Sequence, residues 1–140
     1  MTHPVHVGLV GMGTVGTGVV RVLQDSAEHI ARQAGRQIIV NHVVVQDPTK
    51  PRSVELPSDQ LSNDLSRIVG NPTISVVAVL LGGLEPARTI CLELLRSGKD
   101  LVTANKALLA EHGPELFQAA REAGRSIAFE AAIGGGIPIV

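Results

Sequence analysis

Val5-His6-Val7-Gly8-Leu9-Val10-Gly11-Met12-Gly13-Thr14-Val15-Gly16-Thr17-Gly18-Val19 is the stretch that decides the fold. Residues 5–10 form an apolar run that reads as a buried strand. Glycines then fall at 11, 13 and 16, and an apolar-periodic stretch follows. That order is strand, glycine turn, helix. Gly11 permits the tight turn. Gly13 lets the backbone approach a diphosphate, where a side chain would collide. Gly16 lets the helix pack closely on the strand. The amino end of the helix then offers free N–H groups and a positive dipole end to phosphates. The same glycines would also serve a merely tight strand–helix turn, so the rest of the chain must decide.

The chain has 140 residues, the size of one domain. It is 44% hydrophobic, yet it holds only two Phe and no Trp or Tyr. Its core must be aliphatic, which suits buried parallel strands covered by helices. The net charge is −1, with Lys and Arg scattered. No basic footprint and no aromatic platform for nucleic acid is present, and no apolar run is long enough to span a bilayer. Cys91 is the single cysteine, which excludes an internal disulfide. The start does not read as a signal peptide, and a cytoplasmic protein is expected. His3, His6, His29, His42 and His112 lie far apart, without metal-ligand spacing.

Residues 14 to about 34 read as one long helix, with Val15, Val19, Val22, Leu23 and Ile30 on its apolar face and Gly35 as its cap. Residues 38–45 read as the second strand and 46–57 as a loop with a turn at Asp47-Pro48. A short helix is expected over 61–69, a buried strand over 75–81, and an amphipathic helix over 85–97. Cys91 lies on the buried stripe of that helix, where a packed thiol is expected rather than a nucleophile. A strand at 100–103, helical pieces at 106–111 and 114–123, and a last strand at 126–130 complete the pattern. Strands alternate with helices, which predicts a doubly wound, mostly parallel α/β sheet with helices on both faces. The glycine turn makes the Rossmann arrangement the leading version.

Ligands of such sheets bind beyond the carboxyl ends of the strands. Here those ends are residues 11–13, 46–47, 82–83, 103–106 and 130–136. At the second, an acid reads the ribose hydroxyls of NAD and a base accommodates the phosphate of NADP. Gln46 is uncharged, Asp47 favours NAD, and Lys50 and Arg52 suit a phosphate, so the choice stays open. Gly82 and Gly83 either form a plain turn or let bare backbone pass the cofactor's ribose or nicotinamide. Asn105 is a good N-cap and puts Lys106 in the first helical turn, where a cation opposes the dipole at about 0.3–1 kcal/mol. Such a lysine suits contact with a substrate carbonyl or a proton relay, against the alternative of a solvated side chain. Glu130, before a glycine-rich loop, fits either a hinge or a site for a monovalent cation or ordered water. Residues 134–140 look like the start of another element, so 1–140 is expected to be a fragment carrying the nucleotide domain only.

Four blocks carry a family resemblance. They are Gly11-Met12-Gly13-Thr14-Val15-Gly16-Thr17-Gly18-Val19, Leu81-Gly82-Gly83-Leu84-Glu85-Pro86-Ala87, Val102-Thr103-Ala104-Asn105-Lys106-Ala107-Leu108-Leu109-Ala110, and Glu130-Ala131-Ala132-Ile133-Gly134-Gly135-Gly136-Ile137-Pro138. In this order they resemble the nucleotide domain of homoserine dehydrogenase, over nearly the whole chain. The resemblance implies NAD- or NADP-dependent interconversion of L-homoserine and L-aspartate 4-semialdehyde by hydride transfer. That step leads towards threonine, methionine and isoleucine. It implies that Gly13, Thr14 and Val15 touch the pyrophosphate, that Gly82 lies by the nicotinamide, and that Lys106 contacts the cofactor and reaches the catalytic centre. It also implies a sodium ion held by Glu130 with the backbone of Ile133, Gly135 and Ile137. The expected cofactor set is thus Gly11, Gly13, Thr14, Val15, Gly16, Gln46, Asp47, Lys50, Gly82, Gly83, Asn105 and Lys106.

Two departures stand out. Gln46 occupies a place where many members carry Arg, and Val79 one where many carry Glu. In the family the substrate pocket, a second essential lysine, its acidic partner and the homodimer interface would lie beyond residue 140. Residues 1–140 alone are therefore expected to bind cofactor without turnover. The competing class is a stand-alone dinucleotide sensor on the same fold, which has no need of a lysine aimed at a nicotinamide.

Overall fold

A computed structural model describes residues 3–129 of the chain. The elements follow in the order β1 (Val5–Val10), α1 (Thr14–Asp25), α2 (Ala27–Ala34), β2 (Ile38–Val44), β3 (Leu61–Ser62), α3 (Ser66–Val69), β4 (Ile74–Val79), α4 (Ala87–Arg96), β5 (Asp100–Thr103), α5 (Lys106–Ala123) and β6 (Ile127–Ala128). One six-stranded sheet runs in the order β3-β2-β1-β4-β5-β6, and every pairing is parallel. This is the Rossmann order, with its reversal between β1 and β4.

Side chains alternate across each strand and feed two cores. Leu9 and Val43 join Val20 of α1 on one face, with Met12 and Val54. Val10, Val44, Val77 and Val79 join Ile68 of α3, Leu94 and Leu95 of α4, and Leu108 and Leu116 of α5 on the other. Gly8 admits Ile68 to this second face, since a Cβ at position 8 would lie 3.0 Å from the Ile68 Cδ1. Cys91 is buried in the same core, and burial pushes its thiol up to about 12. No helix among the described residues is long and apolar enough to cross a membrane.

Four expectations are corrected. The helix expected over 14–34 breaks at Ser26, whose backbone leaves the helical region, giving α1 and α2. The apolar face of α1 is also rotated from the expected one. Gly16 and Val20 are buried, whereas Val15 and Val22 are 57% and 55% exposed. Close approach at Gly16 turns that side of the helix to the sheet, and Val20 follows one turn later. The segment 61–69 is not one helix. Leu61 and Ser62 pair with Val43 and Val44 as an edge strand before α3 begins. His42 reinforces that pairing, its Nε2 lying 2.8 Å from the Ser62 Oγ. Finally, α5 is continuous through Pro114. The proline removes the one bond that would reach Ala110, and both residues are exposed, so water can serve the freed carbonyl. Packing of Leu108, Leu116, Ala119 and Ala120 holds the two halves in line.

Candidate dinucleotide-binding cleft

The carboxyl ends of β1, β2 and β4 surround a cleft of about 730 Å³. Residues 11–14 with Thr17, Gly18 and Arg21 form one wall, 45–47 and 50–53 the second, and 80–82 the third. A smaller recess of about 200 Å³ adjoins it, lined by Val15, Val79, Leu80, Leu81, Gly82, Ala104 and Asn105. Leu80, Leu81 and Gly82 border both. The two spaces straddle the β1/β4 reversal, where an extended ligand of a doubly wound sheet lies.

The glycines of this cleft divide by cause. Gly11 has φ +97°, which demands glycine. A Cβ on Gly16 would fall on the carbonyl oxygen of Gly11, so the protein's own packing demands glycine there. Gly13, Gly18 and Gly82 obey neither cause: each has an ordinary φ, and a Cβ would meet nothing within 4 Å. All three line the cleft. Among the described glycines, only these combine an ordinary φ with no atom within 4 Å of the Cβ position. Bare backbone facing open space is the shape a diphosphate needs. The amino end of α1 suits that group as well, having no side-chain cap and no acid in its first turn.

The β2 end is the electrostatic part of the site. Gln46 is exposed. One oxygen of Asp47, Oδ1, accepts from the Thr49 hydroxyl at 2.6 Å and the Thr49 amide at 3.0 Å. The hydroxyl first, then the amide, holds this carboxyl below the usual carboxylate range. Arg52 donates to the carbonyls of Lys50 (2.8 Å) and Asp47 (2.9 Å), and Arg21 donates to the Ser53 Oγ (2.9 Å). Three cations therefore border the cleft against one carboxylate. None of the three is in an ion pair; among the described residues the salt bridges are those of Arg88 with Glu85 and Glu115. Arg21 and Ser53 escape sequence reading. The signal for Arg21 was its spacing, two turns beyond Thr14 on the helix face that also carries Thr17 and Gly18.

Asn105 caps α5 as expected, its Oδ1 accepting from the Leu108 amide at 3.0 Å. Its Nδ2 also reaches the carbonyls of Leu81 (3.0 Å) and Gly83 (2.6 Å). Gly83 has φ +77°, which accounts for glycine there. Lys106 is exposed at the first position of α5, beside the recess but not among the residues that line it. Glu130, Ile133, Gly135 and Ile137 lie outside the described residues. Among the described residues no group of three or more His, Cys, Asp or Glu is gathered to hold a metal ion.

Comparison with known proteins agrees with this geometry. Residues 11–130 match the family model described as homoserine dehydrogenase, NAD binding domain. The homoserine dehydrogenase of Synechocystis sp. is 46% identical over 136 residues, covering 97% of this chain and 31% of the relative. The crystal structure of a homoserine dehydrogenase from Thiobacillus denitrificans superposes with a TM-score of 0.85 at 44% identity, covering 92% of this chain and 30% of that one. That of S. aureus homoserine dehydrogenase at pH 8.5 gives 0.86 at 30% identity, covering 95% and 33%. The chain thus spans about a third of the length of the relatives it matches. With its Rossmann sheet and glycine-lined cleft, the chain belongs to the homoserine dehydrogenase family, as the NAD-binding domain.

Proposed function

We propose that this domain holds the dinucleotide of an NAD- or NADP-dependent homoserine dehydrogenase, which interconverts L-homoserine and L-aspartate 4-semialdehyde. The observation that carries the reading is the set Gly13, Gly18 and Gly82, whose missing side chains leave room that no protein atom needs. The bound dinucleotide would supply or accept the hydride. Gly13, Thr14, Val15 and Gly16 would present amides at the amino end of α1 to the diphosphate, and Gly11, whose own amide donates to the Val44 carbonyl, would make the turn that leads there. Gln46, Asp47 and Lys50, with Arg21 and Arg52, would face the adenosine ribose. Gly82 and Asn105, which line the recess, would border the nicotinamide half, with Gly83 held beside them by the Asn105 carboxamide.

Lys106 is assigned to the chemical step, because it opens α5 next to Asn105 at the recess. Its ammonium can donate to a substrate oxygen on which negative charge develops. The substrate pocket, a homodimer and a sodium ion on Glu130, Ile133, Gly135 and Ile137 are proposed from the family resemblance, and a cytoplasmic location from the single cysteine and the lack of a signal-like start in the sequence. Titrating the protein with NADH and NADPH, followed by nicotinamide fluorescence, tests the reading directly. Saturable binding of at least one, with reduction of NAD or NADP that depends on L-homoserine in the intact protein, is the expected result. Absence of binding by both would end it.

A further inference from the structure

We infer that Asn105 is a positioning residue that joins the seat of the reactive half of the cofactor to the helix that presents Lys106. The inference rests on the dinucleotide reading above.

An N-cap needs one acceptor, and Ser, Thr or Asp serves about as well as Asn. Asn105 supplies that acceptor to the Leu108 amide and has two further protons to place. Both go to a loop more than 20 residues earlier, one to the Leu81 carbonyl and one to the Gly83 carbonyl. The backbone amide of Asn105 is used as well, donating at 3.2 Å to the Oγ1 of Thr103, which is buried. Every polar group of the side chain is therefore engaged, half for the helix and half for the loop. Only a short carboxamide can do both. An aspartate would set an oxygen against two carbonyl oxygens, and a serine has one proton and less reach.

The loop so held has little rigidity of its own. Gly82 and Gly83 are exposed, and neither has a side chain to pack. Gly82 is also one of the glycines whose empty Cβ space faces the cleft. Fixing the carbonyls on either side of Gly82 fixes its backbone. The same carboxamide fixes the first turn of α5, so the distance from the Gly82 backbone to Lys106 is set through one residue.

The test uses the intact protein from its natural reading frame, with Asn105→Ser and Asn105→Thr, which keep the cap. Melting temperature, Kd for NADH and NADPH, emission of the bound nicotinamide, and kcat and KM with L-homoserine are measured. The expected result is a melting temperature close to wild type. Dinucleotide Kd and KM should rise at least about threefold, kcat should fall at least about tenfold, and the emission of bound NADH should shift. A purely structural role would lower kcat in proportion to the folded fraction and leave Kd, KM and emission unchanged, and that result overturns the inference. Wild-type values throughout overturn it too. If neither variant folds, the carboxamide is a requirement of the fold, and its positioning role is overturned. If wild-type protein binds neither NADH nor NADPH, the dinucleotide reading fails and this inference fails with it. Normal wild-type binding beside unaffected variants removes the positioning role alone.

Discussion

A Cβ atom at Gly16 would sit on the carbonyl oxygen of Gly11, five residues earlier at the turn that α1 leaves. The same motif holds Gly13, where a Cβ would touch no protein atom. Two glycines of one fingerprint therefore differ in cause: the fold itself demands glycine at 16, whereas no protein atom demands it at 13, the position proposed to meet the diphosphate.

That division predicts opposite phenotypes. Gly13→Val should keep the fold, with at most about 1 kcal/mol lost at the cap. It should weaken NADH or NADPH binding at least about 100-fold, or about 2.7 kcal/mol. Gly16→Val should destabilise by about 1–3 kcal/mol or more through overpacking against backbone. Urea unfolding and fluorescence titration of both variants check this. Unchanged affinity in Gly13→Val would remove the diphosphate from the cleft.

Lys106 is exposed and opposes the dipole of α5, so stability does not need it. Lys106→Ala should leave the melting temperature equal or slightly higher, the relief being about 0.3–1 kcal/mol. Turnover of L-homoserine by the intact protein should fall by about 100-fold or more. A variant with near-normal kcat would place the chemistry on other groups.

Arg21, Lys50 and Arg52 outnumber Asp47 at the β2 end, and one oxygen of Asp47 already serves Thr49. A 2′-phosphate should be tolerated there, giving use of both cofactors. NADPH affinity should drop with added salt more steeply than NADH affinity, because exposed charges are screened. Arg52→Gln should lower the NADPH-to-NADH affinity ratio several-fold. Parallel titrations at two salt concentrations decide the matter. Equal salt slopes for the two cofactors would show that the cations do not meet the phosphate.

His42 gives a pH-dependent stability. Burial, and then the nearby Arg67, holds its imidazole below the ordinary value of 6.5. In the window from about 6.5 down to the folded value, the unfolded chain binds more protons than the folded one. The stability linked to neutral His42 is thus present above that window and is lost as pH falls through it. The urea midpoint should drop between pH 7.5 and 5.5, and His42→Gln should flatten that slope while keeping a partner for Ser62. Parallel slopes in the two proteins would clear His42 of the effect.

The alternation of strands and helices was legible in the chain, as were the glycine turn, the bounds of β5 (Asp100–Thr103) and the cap at Asn105. Each depends on residues within a few positions of one another, through side-chain periodicity, the conformational freedom of glycine and local hydrogen bonding. The four family blocks carried the function further than those local rules reach.

Tertiary structure alone decided the rest. Which face of α1 is buried depends on where Gly16 meets Gly11, and that contact sends Val15 and Val22 outward. Leu61 and Ser62 are a strand because β2 offers them a partner edge. Arg21 reaches the cleft wall through Ser53, 32 residues away, and Asn105 reaches Gly83 across 22. A local pattern states what a segment can become; the partner that a distant segment offers determines which surface it hides and which protons it shares.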